Sequence, residues 1–256
     1  MDDAVKVEHH GDVIVITLDR PDRRNAVDAE TGVKLGRAFS AFEADAQAKV
    51  AVLTGAGGTF CGGADLKALS ESVSLYEPEG PGPMGPTRML LSKPVIAAIE
   101  GHAVAGGLEL ALWADLRVVA QSAVFGVFCR RWGVPLVDGG TVRLPRLIGH
   151  GRALDLILTG RPVDADEALA IGLANRVVSD GEALEAAINL AREIARFPQD
   201  CLRIDRASCY EQWGTPLAAA LLYEGRAADH VILSAAQTGA TRFAEGRGRG
   251  GDFSDI

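Results

Sequence analysis

Two glycine-rich turns, each following a short apolar run, constrain this chain more than any other feature. Gly55-Ala-Gly-Gly-Thr-Phe-Cys-Gly-Gly-Ala-Asp-Leu66 follows Val50 to Leu53, and Ile99-Glu-Gly-His-Ala-Val-Ala-Gly-Gly-Leu-Glu-Leu110 grows out of Pro94 to Ile99. Apolar runs of this length, rich in branched residues and ended by glycine, read as buried strands. Glycine has no Cβ, so a backbone built from it can approach a ligand closely and aim its N–H groups there. Two such donors aimed at one carbonyl oxygen form an oxyanion hole, in which each donor contributes roughly 2.7–4 kcal/mol to barrier lowering. In the second turn a helix starts at the glycines. Its positive end faces the same place, and Glu109 lies on the Gly106 face about one turn on.

Elsewhere the chain alternates strands and helices. Val13 to Leu18, Leu116 to Val119 and Ala123 to Val127 read as further strands. Asp28 caps a helix to about Asp45 that carries Leu35, Ala38, Phe39 and Phe42 on one face. Asp65 to Ser70 reads as a short helix. From Thr141 onward the pattern is largely helical, which together favours an α/β core with a helical C-terminal region. Ser74 to Thr87, with Pro78, Pro81, Pro83 and Pro86, reads as a mobile loop over a site. The tail from Gly246 is rich in glycine and arginine and is expected to be poorly ordered.

The net charge of −8 repels nucleic acid from the average surface, and the short basic run Arg242 to Arg249 does not offset it. Cys61, Cys129, Cys201 and Cys209 form no C-x-x-C pair and read as reduced thiols of a cytoplasmic protein. No run of about 18 apolar residues is present to span a bilayer, and Met1 to Asp12 lacks the apolar core of a signal peptide. The histidines show no metal-ligand spacing, and His102 is expected to support backbone rather than act in catalysis. Gly80-Pro-Gly-Pro-Met-Gly85 matches a dinucleotide fingerprint by letter only, because it follows no strand and opens no helix. Asp155 and Asp164 read as solvent-facing or helix-capping.

Taken together, Arg24-Asn25-Ala26, Gly62-Gly63-Ala64-Asp65-Leu66, Lys93 to Ala97, Gly101 to Glu109, Phe125-Gly126, Asp138 to Leu144, Leu158-Thr-Gly160 and Ala168 to Val178 closely resemble the crotonase, or enoyl-CoA hydratase/isomerase, superfamily. The resemblance spans nearly the whole chain. It implies an α/β fold: a spiral of ββα repeats binding acyl-CoA over residues 1–196, then a helical trimerisation region over 197–256. It implies a homotrimer or a dimer of trimers. The backbone N–H groups of Ala64 and Gly106 would form the oxyanion hole. Arg24, Ala26, Ala64, Asp65 and Leu66 would line the coenzyme A site. Gly106, Gly107, Cys129 and Trp132 are further candidates to bind the acyl-CoA, and Phe243 would reach coenzyme A from a neighbouring subunit, with Arg247 or Arg249 standing where the family has a lysine. Coenzyme A is part of the substrate, and neither a further cofactor nor a metal is implied.

One position departs from the pattern. Family hydratases use two glutamates; Glu109 matches the first, and Cys129 stands where the second should be. A thiol is neither a carboxylate in charge nor its equal as a proton carrier at neutral pH, and Cys129 reads better as a small core thiol than as a nucleophile. Asp138 resembles a catalytic aspartate of dienoyl-CoA isomerase-like members and is a candidate to share acid/base work with Glu109; the competing reading is that it caps the helix starting at Gly139 or Gly140. For Glu109 the competing reading is a buried structural salt bridge. The expectation is an enoyl-CoA hydratase-like lyase. Enoyl- or dienoyl-CoA isomerisation, acyl-CoA hydrolysis or decarboxylation, and non-catalytic acyl-CoA binding remain open.

Overall fold

The computed structural model describes residues 4–71, 77–248, 250 and 253. It groups them into two compact units, residues 1–191 and 192–256. In the first unit, strands β1 (Val5–His10), β2 (Val13–Leu18), β3 (Val50–Gly55), β4 (Val95–Ile99), β6 (Leu116–Ala120) and β8 (Arg176–Val178) form one sheet in the order β1-β2-β3-β4-β6-β8. Only β1 and β2 pair antiparallel. Strands β5 (His102–Val104) and β7 (Val124–Gly126) pair parallel in a second, small sheet. Each of them continues a strand of the large sheet after a sharp turn, and Cys61 bridges to Ala103 as β3's counterpart there. The pattern is the expected spiral of ββα turns. The strands β1, β5 and β8 were not among those expected.

Helix α1 (Ala29–Ala44) starts where Asp28 accepts a hydrogen bond from the Thr31 amide at 2.9 Å, and it buries Leu35, Phe39 and Phe42. At its other end the buried Lys93 ammonium donates to the carbonyls of Phe42 at 2.8 Å and Asp45 at 2.6 Å, satisfying acceptors the helix leaves open. Helix α2 (Leu66–Glu71) follows the first glycine turn, as expected. Helix α3 (Gly106–Trp113) is apolar on nearly every side, which puts it inside the molecule rather than on its surface. Leu108 and Leu110 through Trp113 are buried with it, and Trp113 meets Phe39 edge-on at 4.7 Å. Glu109 is the one charged residue this helix carries inward.

Helices α4 (Gly140–Ile148), α5 (His150–Thr159) and α6 (Ala165–Ala170) complete the first unit's outer layer, and α7 (Ala183–Arg196) runs from it into the second unit. Asp164 caps α6 through the Glu167 amide, while Asp155 pairs with Arg161 at the surface. A buried arginine, Arg117, ties β6 to the chain entering β8 by donating to Leu173 O at 2.6 Å and Asn175 Oδ1 at 3.1 Å. The second unit is helical, with α8 (Gln199–Glu211), α9 (Leu217–Val231), a π-helical turn over Ile232–Ala236, and α10 (Gln237–Ala244). No helix among the described residues is long and apolar enough to cross a membrane.

Candidate active site

The two glycine turns lie against each other. A Cβ built on Gly107 would stand 2.1 Å from the Cys61 carbonyl oxygen, and one on Gly63 would stand 3.0 Å from the Gly106 nitrogen, so neither position accepts a side chain. Cys61 binds β5 through its own amide to His102 O at 2.9 Å and through its carbonyl to the Val104 amide at 3.1 Å. His102 thus serves this turn through its backbone, as expected, and its side chain is exposed. On the other side, Gly63 O accepts from Val27 N at 2.8 Å and Asp65 N donates to Val27 O at 2.9 Å. This pairing turns the Ala64 amide away from Val27. Among the described residues, the amides of Ala64 and Gly106 donate to no protein acceptor. The Gly106 amide follows Ala105, whose φ of 54° and ψ of −124° lie where side-chain-bearing residues rarely settle. That twist turns β5 into α3.

Beneath the first turn, the Cys61 thiol donates to Asn25 O at 3.1 Å, and burial pushes it up to about 12, so it stays protonated. Asn25 is itself fully buried and donates to Ala56 O at 2.8 Å and Thr59 O at 2.5 Å. Arg20 ties together three parts of this region, bonding Ala26 O and pairing with Asp28 at 2.7 Å and Asp65 at 3.2 Å. Asp65 also caps α2 through the Lys67 amide at 3.1 Å. Arg24 and Asn25 both have φ near 54°, which folds this segment against Gly62. Arg24 and Leu66 present exposed side chains, and Ala26 and Ala64 are half-buried.

Glu109 is 2% exposed. Its Oε1 accepts from the amides of Asp138 at 2.9 Å and Gly140 at 2.8 Å, and no salt bridge holds it among the described residues. Burial pushes its carboxyl up to about 7; the Asp138 charge adds to the rise, while the Gly140 and Asp138 amides and Arg143 oppose it. A group poised there is present in both protonation states at neutral pH, as a proton carrier must be.

Asp138 is 3% exposed and does not cap α4, against the competing reading above. Gly139 occupies the cap with φ of 95°, and Glu109 meets the first amide of α4, that of Gly140, together with the Asp138 amide ahead of the cap. The Asp138 carboxylate faces the other way. Its Oδ1 accepts from the Met84 amide at 3.0 Å and from the Thr87 hydroxyl, and burial raises its carboxyl above the usual range. These bonds correct the expectation of a mobile loop for its described part. Gly82 and Met84 to Thr87 are buried, and Arg88 donates to the carbonyls of Glu77, Pro78, Gly80 and Val137. The remainder of that stretch, residues 74–76, lies outside the described residues. Met84 covers the second turn, its Sδ 2.6 Å from where a Cβ on Gly106 would be.

Cys129 sits in a 3-10 turn over Phe128–Trp132 and belongs to the core. Burial, and then the Glu109 charge, raise its thiol, so it faces Glu109 as a neutral group. In the same turn Trp132 is 65% exposed. Phe243, in the helical unit, is 61% exposed. The structure therefore assembles Ala64, Gly106, Gly107, Glu109, Cys129 and Asp138 in the first unit. Sequence reasoning did not single out Met84 beyond its loop, nor Thr87, Arg20 or Arg143, because each acts through partners distant along the chain.

Comparison with known proteins gives the family and the fold. Residues 8–250 match the family model described as enoyl-CoA hydratase/isomerase. A carnitinyl-CoA dehydratase of Salmonella arizonae is 41% identical over 199 residues, covering 77% of this chain and 76% of the relative. The crystal structure of an enoyl-CoA hydratase from Mycobacterium tuberculosis H37Rv superposes with a TM-score of 0.89 at 38% identity, covering 94% of this chain and 96% of that one. An enoyl-CoA hydratase from Bacillus anthracis superposes at 0.85 with 33% identity, covering 96% and 97%.

Proposed function

We propose, on the premise that this chain belongs to the enoyl-CoA hydratase/isomerase family, that it adds water reversibly across the double bond of an enoyl-CoA thioester. One observation carries the reading: a buried carboxyl with a pKa of about 7 stands one helical turn from the Gly106 amide. In the proposed reaction, the thioester oxygen lies between the amides of Ala64 and Gly106. Glu109 takes a proton from water as the water oxygen bonds to Cβ, and the π electrons move onto the thioester oxygen as an enolate. The enolate then collapses, Cα takes the proton from Glu109, and the product is a 3-hydroxyacyl-CoA. The atoms balance without a further cofactor. The two amides stabilise the charge only while it exists, which is where binding energy lowers a barrier. Cys129, neutral and apolar in its surroundings, leaves proton transfer to Glu109 alone.

Arg24, Ala26, Asp65 and Leu66 border the first turn and fit a coenzyme A site. The helical unit exposes Leu217 at 76% and Leu233 at 80%, apolar surface that suits assembly into a trimer. Phe243 would then serve a neighbouring subunit. A second reading, double-bond migration, is favoured by Asp138, a second buried acid whose charge reaches Glu109. Enoyl-, dienoyl- and 3-hydroxyacyl-CoA substrates, assayed with the wild type and Glu109→Gln, test both. Hydration that vanishes in Glu109→Gln supports the first reading. Isomerisation without hydration supports the second. Tight binding with no turnover leaves an acyl-CoA binder.

A further inference from the structure

The grip on Glu109 comes from two amides of one short segment, those of Asp138 and Gly140, and the carbonyl between them is held by Arg143. Arg143 Nη1 donates to Asp138 O at 3.0 Å, and Nη2 donates to Thr87 O at 2.7 Å. Its guanidinium lies so close over Gly139 that a Cβ there would stand 2.1 Å from Nη1. Thr87 closes a ring by donating its hydroxyl to the Asp138 carboxylate. One planar fork thus fixes both the peptide that aims the two amides at Glu109 and the loop that places Met84 over Gly106. A lysine's single nitrogen lacks the planar fork whose two separate arms reach these two carbonyls.

We infer that Arg143 is a positioning residue for proton transfer: it sets the orientation of Glu109 by holding the Asp138–Gly140 backbone and the Thr87 loop in one register. This rests on the reading of Glu109 as the proton carrier. The titratable and charged groups acting on Glu109 are Asp138 ahead of α4, Arg143 on α4, and the Cys129 thiol behind β7. Removing the Arg143 cation removes one influence that favours the carboxylate, so Glu109 titrates at higher pH without it.

The test compares the full chain with Arg143→Gln and Arg143→Lys, with Arg146→Gln on the same helix as a control outside the ring. Three quantities are read: kcat and KM on an enoyl-CoA, thermal stability, and the infrared titration of the Glu109 carboxyl assigned by difference against Glu109→Gln. Arg143→Gln should lose kcat by about 100-fold with KM little changed, as misplacement of a catalytic group does, and the Glu109 titration should move to higher pH. Arg143→Lys should keep the titration near that of the wild type yet lose kcat by about 10-fold. Arg146→Gln should match the wild type. A folded Arg143→Gln with normal kcat and an unmoved titration overturns the inference. If that variant does not fold, normal kcat in Arg143→Lys overturns it. Should the wild type turn over nothing, the reaction reading fails, while the infrared shift still decides the role of Arg143.

Discussion

The amide of Asp138 donates to Glu109 Oε1 at 2.9 Å, while the Asp138 side chain reaches in another direction to the loop at Met84 and Thr87. A single residue therefore joins the buried Glu109 carboxyl to the loop that places Met84 over Gly106. Backbone grips the one, and carboxylate holds the other.

Replacing Glu109 by glutamine should abolish turnover, by a factor of at least about 100, and stabilise the protein at alkaline pH. The folded-state carboxyl sits at about 7 against an ordinary value of 4.5. Its raised value means that the associated stability is full below about 4.5 and is lost as pH rises through about 7. A neutral amide keeps an acceptor for both N–H groups and avoids that loss, worth up to about 3 kcal/mol. Urea unfolding of both proteins at pH 5 and pH 8 reads this directly; equal stability at pH 8 refutes it.

Asp138→Ala should leave the Met84 amide and Thr87 hydroxyl buried without their acceptor, costing about 2 kcal/mol and opening residues 77–88 to limited proteolysis. Asp138→Asn keeps an acceptor and should hold the loop. If Asp138 moves a proton in isomerisation, the asparagine variant should lose dienoyl-CoA isomerisation by about 100-fold while hydration persists. Unchanged isomerisation assigns Asp138 to the loop alone.

A glutamate at position 129 would add the second carboxyl of the usual hydratase pair. Cys129→Glu should raise hydration of a short enoyl-CoA by about 10-fold or more, followed by the loss of conjugated-thioester absorbance. A second acid near Glu109 disfavours its ionisation, so the acidic limb of the rate profile should move to higher pH. A rate that stays level or falls shows that the thiol does not limit hydration.

Gly107→Ala should cost about 3 kcal/mol or more, because its Cβ would lie 2.1 Å from the Cys61 carbonyl and push the two turns apart. Activity should fall with it. Gly151→Ala in α5 meets nothing within 4 Å and should stabilise slightly instead. Thermal melts of the pair make the comparison; similar losses at both positions would contradict the contact between turns.

Strands that bury apolar side chains on both faces, such as β3 and β4, were readable as continuous apolar runs. Strand β1 was not, because only Val5 of its Val-Lys-Val-Glu-His-His is buried and pairing with β2 alone holds it in the sheet. Strand β5 was hidden inside a glycine-rich turn, too short to show a period. At the site, Glu109 was legible from its place after Gly106, a local relationship within one helix. The ties that surround it were not. A residue ahead of Gly-Gly-Thr looks like a helix cap, yet the acid that meets α4's first amide comes from α3, and the loop that binds Asp138 lies more than fifty positions away. Arg20 and Arg143 drew no separate notice, because their ties to Asp65 and to Thr87 join segments that only folding brings together.

Glu109 also closes the buried N-terminal end of α4, a duty that needs an acceptor rather than a charge. Glutamine can keep it while losing the proton; a side chain with no acceptor at that reach gives up both. Position 129 carries no such second duty, so a protein on this scaffold has room to change its reaction there while the residue at 109 is kept in place by architecture.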